Sequence, residues 1–223
     1  MKKKLVVFDL DGTLVDTSYG LNRSMNEALK KNGLSPIGID DTRRFVGNGI
    51  KMYAKRAVDS LTKENDPEKD RLTSSVYNDF VADYGKNALD GSTLYDGIDE
   101  TLVELKKRNV KLAVLTNKAQ FATDLFAERL LSEYGFDKIV GQSDGLPLKP
   151  SPDGLIGIMK EMNAEADETL MVGDGETDFL TAKKCGVECV SALWGFREKA
   201  DLEKFGANIF ISHPNELLHY IGD

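Results

Sequence analysis

Near its start the chain carries an uninterrupted apolar run, Leu5-Val6-Val7-Phe8, that ends in Asp9-Leu10-Asp11-Gly12-Thr13. A run of this kind suits a strand buried on both faces of a parallel sheet, and such a sheet needs helices on both sides. Two aspartates one residue apart at the end of an apolar strand are costly to bury unless a cation or a reaction uses them. In open α/β sheets the C-terminal ends of the strands are where ligands bind. The stretch therefore constrains the fold and marks a place for chemistry at once.

The rest of the chain supplies the partners that such a strand requires. Strand-like runs recur at 4–10, 110–116, 137–141, 168–173, 187–192 and 207–212. Helical patterns alternate with them at 97–108, 118–134, 152–162, 176–185 and 197–204, with 214–221 at the end. Asp96 before Gly97, and Ser151 before Pro152, mark two helix starts. Repeated βα units predict an α/β fold: a doubly wound, Rossmann-like parallel sheet.

One region breaks the alternation. Residues 17–85 hold no strand pattern and read as helices over 17–32, 40–60 and 64–84, separated by Gly33-Leu34-Ser35-Pro36 and Asn65-Asp66-Pro67. A helical cap inserted after the first strand, over the C-terminal edge of the sheet, is the expected organisation, with 1–16 and 86–223 forming the core. Residues 17–84 carry eleven Lys and Arg against ten Asp and Glu, so the remainder carries −9 of a chain whose net charge is −8. A near-neutral insertion beside an acidic core suits an anionic substrate shared with a cation. The same acidic balance disfavours nucleic acid or an anionic membrane as partner. Lys2-Lys3-Lys4 precedes the first apolar run, but that run is too short for a signal sequence or a membrane span, so a cytoplasmic protein is expected. Cys185 and Cys189 have no second cysteine pair and no nearby His, which leaves them as small buried hydrophobes. Nothing in the sequence sets an oligomeric state.

Four stretches carry groups suited to chemistry: Asp9-Leu10-Asp11-Gly12-Thr13, Leu115-Thr116-Asn117-Lys118, Leu148-Lys149-Pro150-Ser151-Pro152-Asp153 and Gly173-Asp174-Gly175-Glu176-Thr177-Asp178. Four aspartates, two from each of two strand ends, repel one another. A hard divalent cation relieves that repulsion, and Mg²⁺ favours carboxylates, water and phosphate oxygens. Thr116 and Lys149 offer donors for the other oxygens of a phosphoryl group. One Asp carboxylate can act as a nucleophile and form an aspartyl-phosphate. Asp11 can then stand beside the leaving oxygen and hand it a proton.

In order and position these stretches resemble the four motifs of the haloacid dehalogenase superfamily, and Phe8-Asp9-Leu10-Asp11-Gly12-Thr13-Leu14 matches the first residue for residue. The resemblance covers the whole chain. It implies Asp9 as nucleophile, Asp11 as general acid and base, Thr116 on the phosphoryl group and Lys149 beside Asp9. It also implies Mg²⁺ held by Asp9, the Asp11 carbonyl and Asp174, with Asp178 in support. Thr13 and Asn117 join the substrate-binding set. Asp11 favours phosphoryl transfer, because dehalogenases of the superfamily lack an acid there.

The insertion resembles the cap of the phosphoglycolate phosphatase-like group through Phe45-Val46-Gly47-Asn48-Gly49-Ile50 and Lys55-Arg56-Ala57. Gly47, Asn48 and Gly49 would expose backbone N–H groups at a helix start, and Arg56 or Lys51 could meet a substrate carboxylate. Two departures are Gly175-Glu176, where many relatives have Ser or Thr after Gly-Asp, and Leu193-Trp194-Gly195-Phe196 in place of a Tyr-Gly segment. The expected activity is Mg²⁺-dependent hydrolysis of a small phosphorylated metabolite resembling phosphoglycolate. Pyrophosphatases, nucleotidases and sugar-phosphate phosphatases share the scaffold and stand as alternatives. A β-phosphoglucomutase-like transferase is disfavoured because both histidines, His213 and His219, lie outside the insertion. A phosphate-binding protein without turnover is the remaining alternative.

Overall fold

A computed structural model describes residues 2–222. The chain divides into two compact units, one formed by Thr17–Ser92 and the other by the segments on either side of it.

The α/β unit is built on a six-stranded parallel sheet. Its strands are β1 (Leu5–Phe8), β4 (Lys111–Ala119), β5 (Lys138–Gln142), β6 (Thr169–Gly173), β7 (Glu188–Ala192) and β8 (Phe210–Ile211). The short strands β2 (Val15–Asp16) and β3 (Thr93–Leu94) pair antiparallel, one on each side of the insertion in sequence. The sheet order is β5-β4-β1-β6-β7-β8. The chain winds outward from β1 through β4 to β5, then returns to the other side of β1 for β6. The winding reverses between β1 and β6, the switch point at which doubly wound sheets bind ligands.

Burial follows from the pleat. Leu5 and Val7 share one face with Ala113, Leu115 and Met171, packed against Leu155 and Ile158 of α7 (Asp153–Met162) and Ala182 of α8 (Glu176–Cys185). Phe8 points the other way and meets Phe136 edge-on, ring centroids 6.4 Å apart. All four residues of β1 are buried, each apolar side chain contributing about 1.5–3 kcal/mol. The helices α5 (Ile98–Lys107) and α6 (Gln120–Phe126) precede and follow β4 in the chain.

The insertion unit is a cap-like set of four helices: α1 (Ser18–Lys31), α2 (Ile39–Phe45), α3 (Ile50–Leu61) and α4 (Lys69–Asn87). At its centre Tyr53 is fully buried against Phe80, and its hydroxyl is satisfied by Thr42 at 2.9 Å and the Leu21 carbonyl at 3.3 Å. Burial raises the Tyr53 pKa, so the phenol stays protonated.

Several boundaries differ from the sequence expectation. The helix expected over 40–60 is two helices, because Gly47 (φ 107°) and Gly49 (φ 82°) are left-handed and break it. The insertion runs past residue 85, since α4 continues to Asn87 and the compact unit to Ser92. The stretch 118–134 starts as strand, and after α6 it continues as a π-helical turn (Ala127–Leu131) and a 3₁₀ turn (Ser132–Tyr134). The closing helix is 3₁₀, over Pro214–Tyr220. Pro152 caps α7, so that helix begins one residue later than expected. Among the described residues no helix is long and apolar enough to cross a membrane.

Candidate active site

Asp9 leaves β1 at the switch point, with its N–H donating to Val172 O of β6 at 2.9 Å. Its Oδ1 accepts from the Leu10 N–H at 2.7 Å and lies 2.9 Å from Lys149 Nζ. Asp174 follows β6 directly, on the other side of the same crevice, and Asp178 lies in the first turn of α8. One carboxylate oxygen from each of Asp9, Asp174 and Asp178 lies within 4.8 Å of the others.

The supports of the three carboxylates differ. Asp174 is held on both oxygens: Oδ1 accepts from Thr13 Oγ1 at 3.0 Å and Oδ2 from the Phe196 N–H at 2.7 Å. Asp178 Oδ1 accepts from Lys149 Nζ at 2.5 Å and its Oδ2 accepts from the Gly175 N–H at 3.0 Å. Both its oxygens are therefore engaged, which suits a supporting carboxylate better than a direct ligand. Burial and the Asp9 and Asp178 charges push Asp174 up to about 7. Burial also raises Asp178, against the opposing pull of Lys149. Burial pulls the Lys149 pKa down, but Asp178 and Asp9 more than offset it, raise it and hold the ammonium charged.

The cluster thus carries more negative charge than its single lysine balances. Its donors are all carboxylate oxygens, the chemistry of a hard divalent cation, with no His or Cys among them. Cys189 is buried, and burial raises its thiol pKa, so it acts as a core side chain.

The second stretch is shaped by a bulge. Register between β4 and β5 is regular to Leu115–Val140 and resumes at Ala119–Gln142, leaving three residues of β4 opposite one of β5. A bulge breaks the alternation of faces, and Thr116, Asn117 and Lys118 are all buried. Thr116 Oγ1 accepts from the Lys118 N–H at 3.2 Å. Asn117 clasps Lys149 from both sides: its Nδ2 donates to Lys149 O at 2.9 Å and its Oδ1 accepts from Lys149 N–H at 2.7 Å. The amide expected to meet substrate thus holds the lysine loop.

Thr13 shows a similar difference. It was expected to bind substrate, yet it is fully buried and gives its hydroxyl to Asp174. The Asp11 side chain, expected near the metal through its backbone only, stands apart from the cluster, with Oδ1 2.9 Å from Lys118 Nζ.

The segment Trp194-Gly195-Phe196 completes the support of Asp174, which sequence reasoning missed. Trp194 Nε1–H donates to Thr13 O at 2.9 Å. A Cβ on Gly195 would lie 2.3 Å from Asp174 Cβ, and one on Gly12 (φ 83°) 2.3 Å from Asp174 Oδ2. Both glycines are needed to admit that carboxylate. Glu176, the residue that departs from the usual Ser or Thr, pairs with Arg197 at 3.2 Å.

In the insertion unit, Arg56 sends Nη1–H to Phe45 O at 2.8 Å and Nη2–H to Asn48 Oδ1 at 2.7 Å. These bonds fix the turn containing Gly47, Asn48 and Gly49 at the start of α3.

Fold and cluster together define a class. Residues 6–192 match the sequence profile of the haloacid dehalogenase-like hydrolases, and the chain belongs to that family. Within it the chain is similar to phosphoglycolate phosphatases along nearly its whole length. It is 31% identical to the phosphoglycolate phosphatase of Colwellia psychrerythraea, with 97% of this chain and 96% of that protein covered. It is 36% identical to one from Pseudomonas fluorescens, with 96% of this chain and 78% of that protein covered. The structure of a predicted phosphoglycolate phosphatase from Haemophilus somnus superposes with a TM-score of 0.89 at 26% identity, covering 100% of this chain and 99% of that one. The protein is a phosphatase-type hydrolase with a Rossmann-like core and a cap-like helical insertion.

Proposed function

We propose that this chain is a Mg²⁺-dependent phosphatase that hydrolyses a small, phosphoglycolate-like monoester through an aspartyl-phosphate on Asp9. The observation that carries the reading is the carboxylate cluster of Asp9, Asp174 and Asp178 at the switch point, with Lys149 paired to Asp9 and Asp178.

Asp9 and Asp174, with the Asp11 carbonyl, would hold the cation, and Asp178 would support it. When bound, Mg²⁺ would neutralise the cluster and draw charge from a phosphoryl oxygen. Asp9 attacks phosphorus while Lys149 and the Thr116 hydroxyl bind the phosphoryl oxygens, where charge develops in the transition state. Lys149 also aims Asp9, and Asn117 holds Lys149. Asp11 protonates the leaving oxygen, then takes a proton from the water that cleaves the aspartyl-phosphate. In the insertion unit the turn of Gly47, Asn48 and Gly49 leads into α3. Arg56 orders that turn.

A substrate panel tests the reading. Values of kcat/KM for phosphoglycolate, pyrophosphate, nucleoside monophosphates and sugar phosphates are expected to favour phosphoglycolate by at least about tenfold. EDTA should abolish turnover of every member and Mg²⁺ should restore it. Turnover that survives EDTA would remove the cation from the account, and no turnover of any ester would leave a phosphate-binding protein.

A further inference from the structure

Lys118 has no part in the chemistry above, yet its placement is demanding. Its side chain is 2% exposed, and an ammonium so buried is costly unless paired. Nζ lies 2.9 Å from Asp11 Oδ1 and 4.4 Å over the centre of the Phe126 ring. Its backbone is fixed on both sides. The N–H donates to Thr116 Oγ1 at 3.2 Å, and the carbonyl accepts from the Thr123 hydroxyl at 3.3 Å. Gly141 of β5 permits this packing, since a Cβ there would lie 2.9 Å from Lys118 O. Asp11 sits in the turn after β1 with its side chain one-fifth exposed. A buried, anchored cation thus grips a carboxylate that reaches toward solvent.

We propose that Lys118 is a positioning residue that holds the Asp11 carboxyl at the place from which it serves the leaving oxygen. The inference rests on the reading of Asp11 as the acid. In the first half-reaction the bond from phosphorus to the leaving oxygen breaks as the bond from Asp9 to phosphorus forms. The electron pair stays on the leaving oxygen, which takes the Asp11 proton. In the second half-reaction water attacks phosphorus and gives its proton to Asp11, and phosphate leaves Asp9, so both carboxyls are restored. Lys118 can donate to Asp11 in either state. Without it, Asp11 is free to rotate away when the leaving oxygen needs a proton.

The consequence depends on the leaving group. An alkyl phosphate expels a strongly basic alkoxide and needs the acid, whereas 4-nitrophenyl phosphate expels a stable phenolate and needs it little. For Lys118→Met, kcat/KM is expected to fall about 10–100-fold with phosphoglycolate and to stay within about threefold with 4-nitrophenyl phosphate. Met has a flexible, unbranched apolar side chain that can take the place of the lysine stem. The ratio of the two values does not depend on the fraction of folded enzyme, and Lys118→Gln gives a second reading of it should Met fold poorly. Asp11→Asn should show the same selectivity, more strongly. Equal losses on both esters, or none on either, for the Lys118 variants beside a selective Asp11→Asn would overturn the role of Lys118. Equal losses for Asp11→Asn itself would overturn the acid reading beneath it.

Discussion

Asp9→Asn is expected to lower kcat by at least about 10⁴-fold, in line with removal of a covalent nucleophile. The protein should fold as before. An Asn carbonyl oxygen still accepts from the Leu10 N–H, which lies 2.7 Å from Asp9 Oδ1, and from Lys149 Nζ at 2.9 Å. The apolar packing of β1 does not involve the carboxyl. What is lost is the anionic oxygen that attacks phosphorus. Circular dichroism and a thermal midpoint within a few degrees of the parent would separate lost chemistry from lost structure. An Asn variant that kept even a tenth of the parent kcat, after deamidation had been excluded by mass, would sink the nucleophile assignment.

Asp174→Asn carries the second large effect, and it acts in opposite directions on stability and activity. Burial first, then the charges of Asp9 and Asp178, push the Asp174 carboxyl up to about 7 from its ordinary value near 3.8. That displacement corresponds to roughly 4 kcal/mol between its charged and neutral forms. Because the folded protein binds this proton more tightly than the unfolded chain, the stabilisation is complete below about pH 4 and is lost as pH rises through about 7. At pH 8 without metal, Asp174 is a buried, repelled anion. Asn removes the charge and keeps the local bonds. Its carbonyl accepts from Phe196 N–H, and its amide donates to Thr13 Oγ1, whose hydroxyl can turn to accept. In EDTA the variant should therefore gain about 2 kcal/mol over the parent at pH 8, about 4–8 °C in Tm, and little at pH 5. With saturating Mg²⁺ the order should reverse, since a cation bound only by the folded parent stabilises it by mass action. Activity should be lost at both pH values. Thermal scans with EDTA and with Mg²⁺ at the two pH values check this. A variant destabilised equally at pH 5 and pH 8, and still stabilised by Mg²⁺, would contradict the account.

The sequence was most legible where residue type alone decides position. Leu5–Phe8 followed by Asp9 reads as a central strand because a short, β-branched-containing apolar run ended by acids suits a doubly covered sheet. Gly173-Asp174 at the end of a second such strand placed the partner carboxylate on the other side of the crevice. Features that depend on register were not legible. The β4 bulge turns Thr116, Asn117 and Lys118 inward together, and period-two alternation would have sent Asn117 to the opposite face. Hence the roles of Asn117 and Lys118 emerged only from their partners.

Main-chain support was equally hidden. The Phe196 N–H on Asp174 leaves no mark in the identity of residue 196, and Gly195 is legible only once Asp174 is seen pressed against it. Arg56 is ambiguous for another reason. An arginine near a glycine-rich turn reads equally well as a ligand-binding charge or as a brace, and two of its donors bind Phe45 O and Asn48 Oδ1. The helix expected over 40–60 likewise failed at Gly47 and Gly49, whose positive φ values cost other residues far more than glycine.

The central claim is that the phosphoryl group passes through Asp9 before it reaches water. Stereochemistry at phosphorus tests it without any need for the intermediate to accumulate. Each in-line displacement inverts the configuration, so transfer to Asp9 and then to water restores it. An isotopically chiral thiophosphate analogue of the preferred ester, turned over in heavy-oxygen water, should give inorganic thiophosphate with net retention. Net inversion would mean a single direct attack by water and would contradict the role given to Asp9.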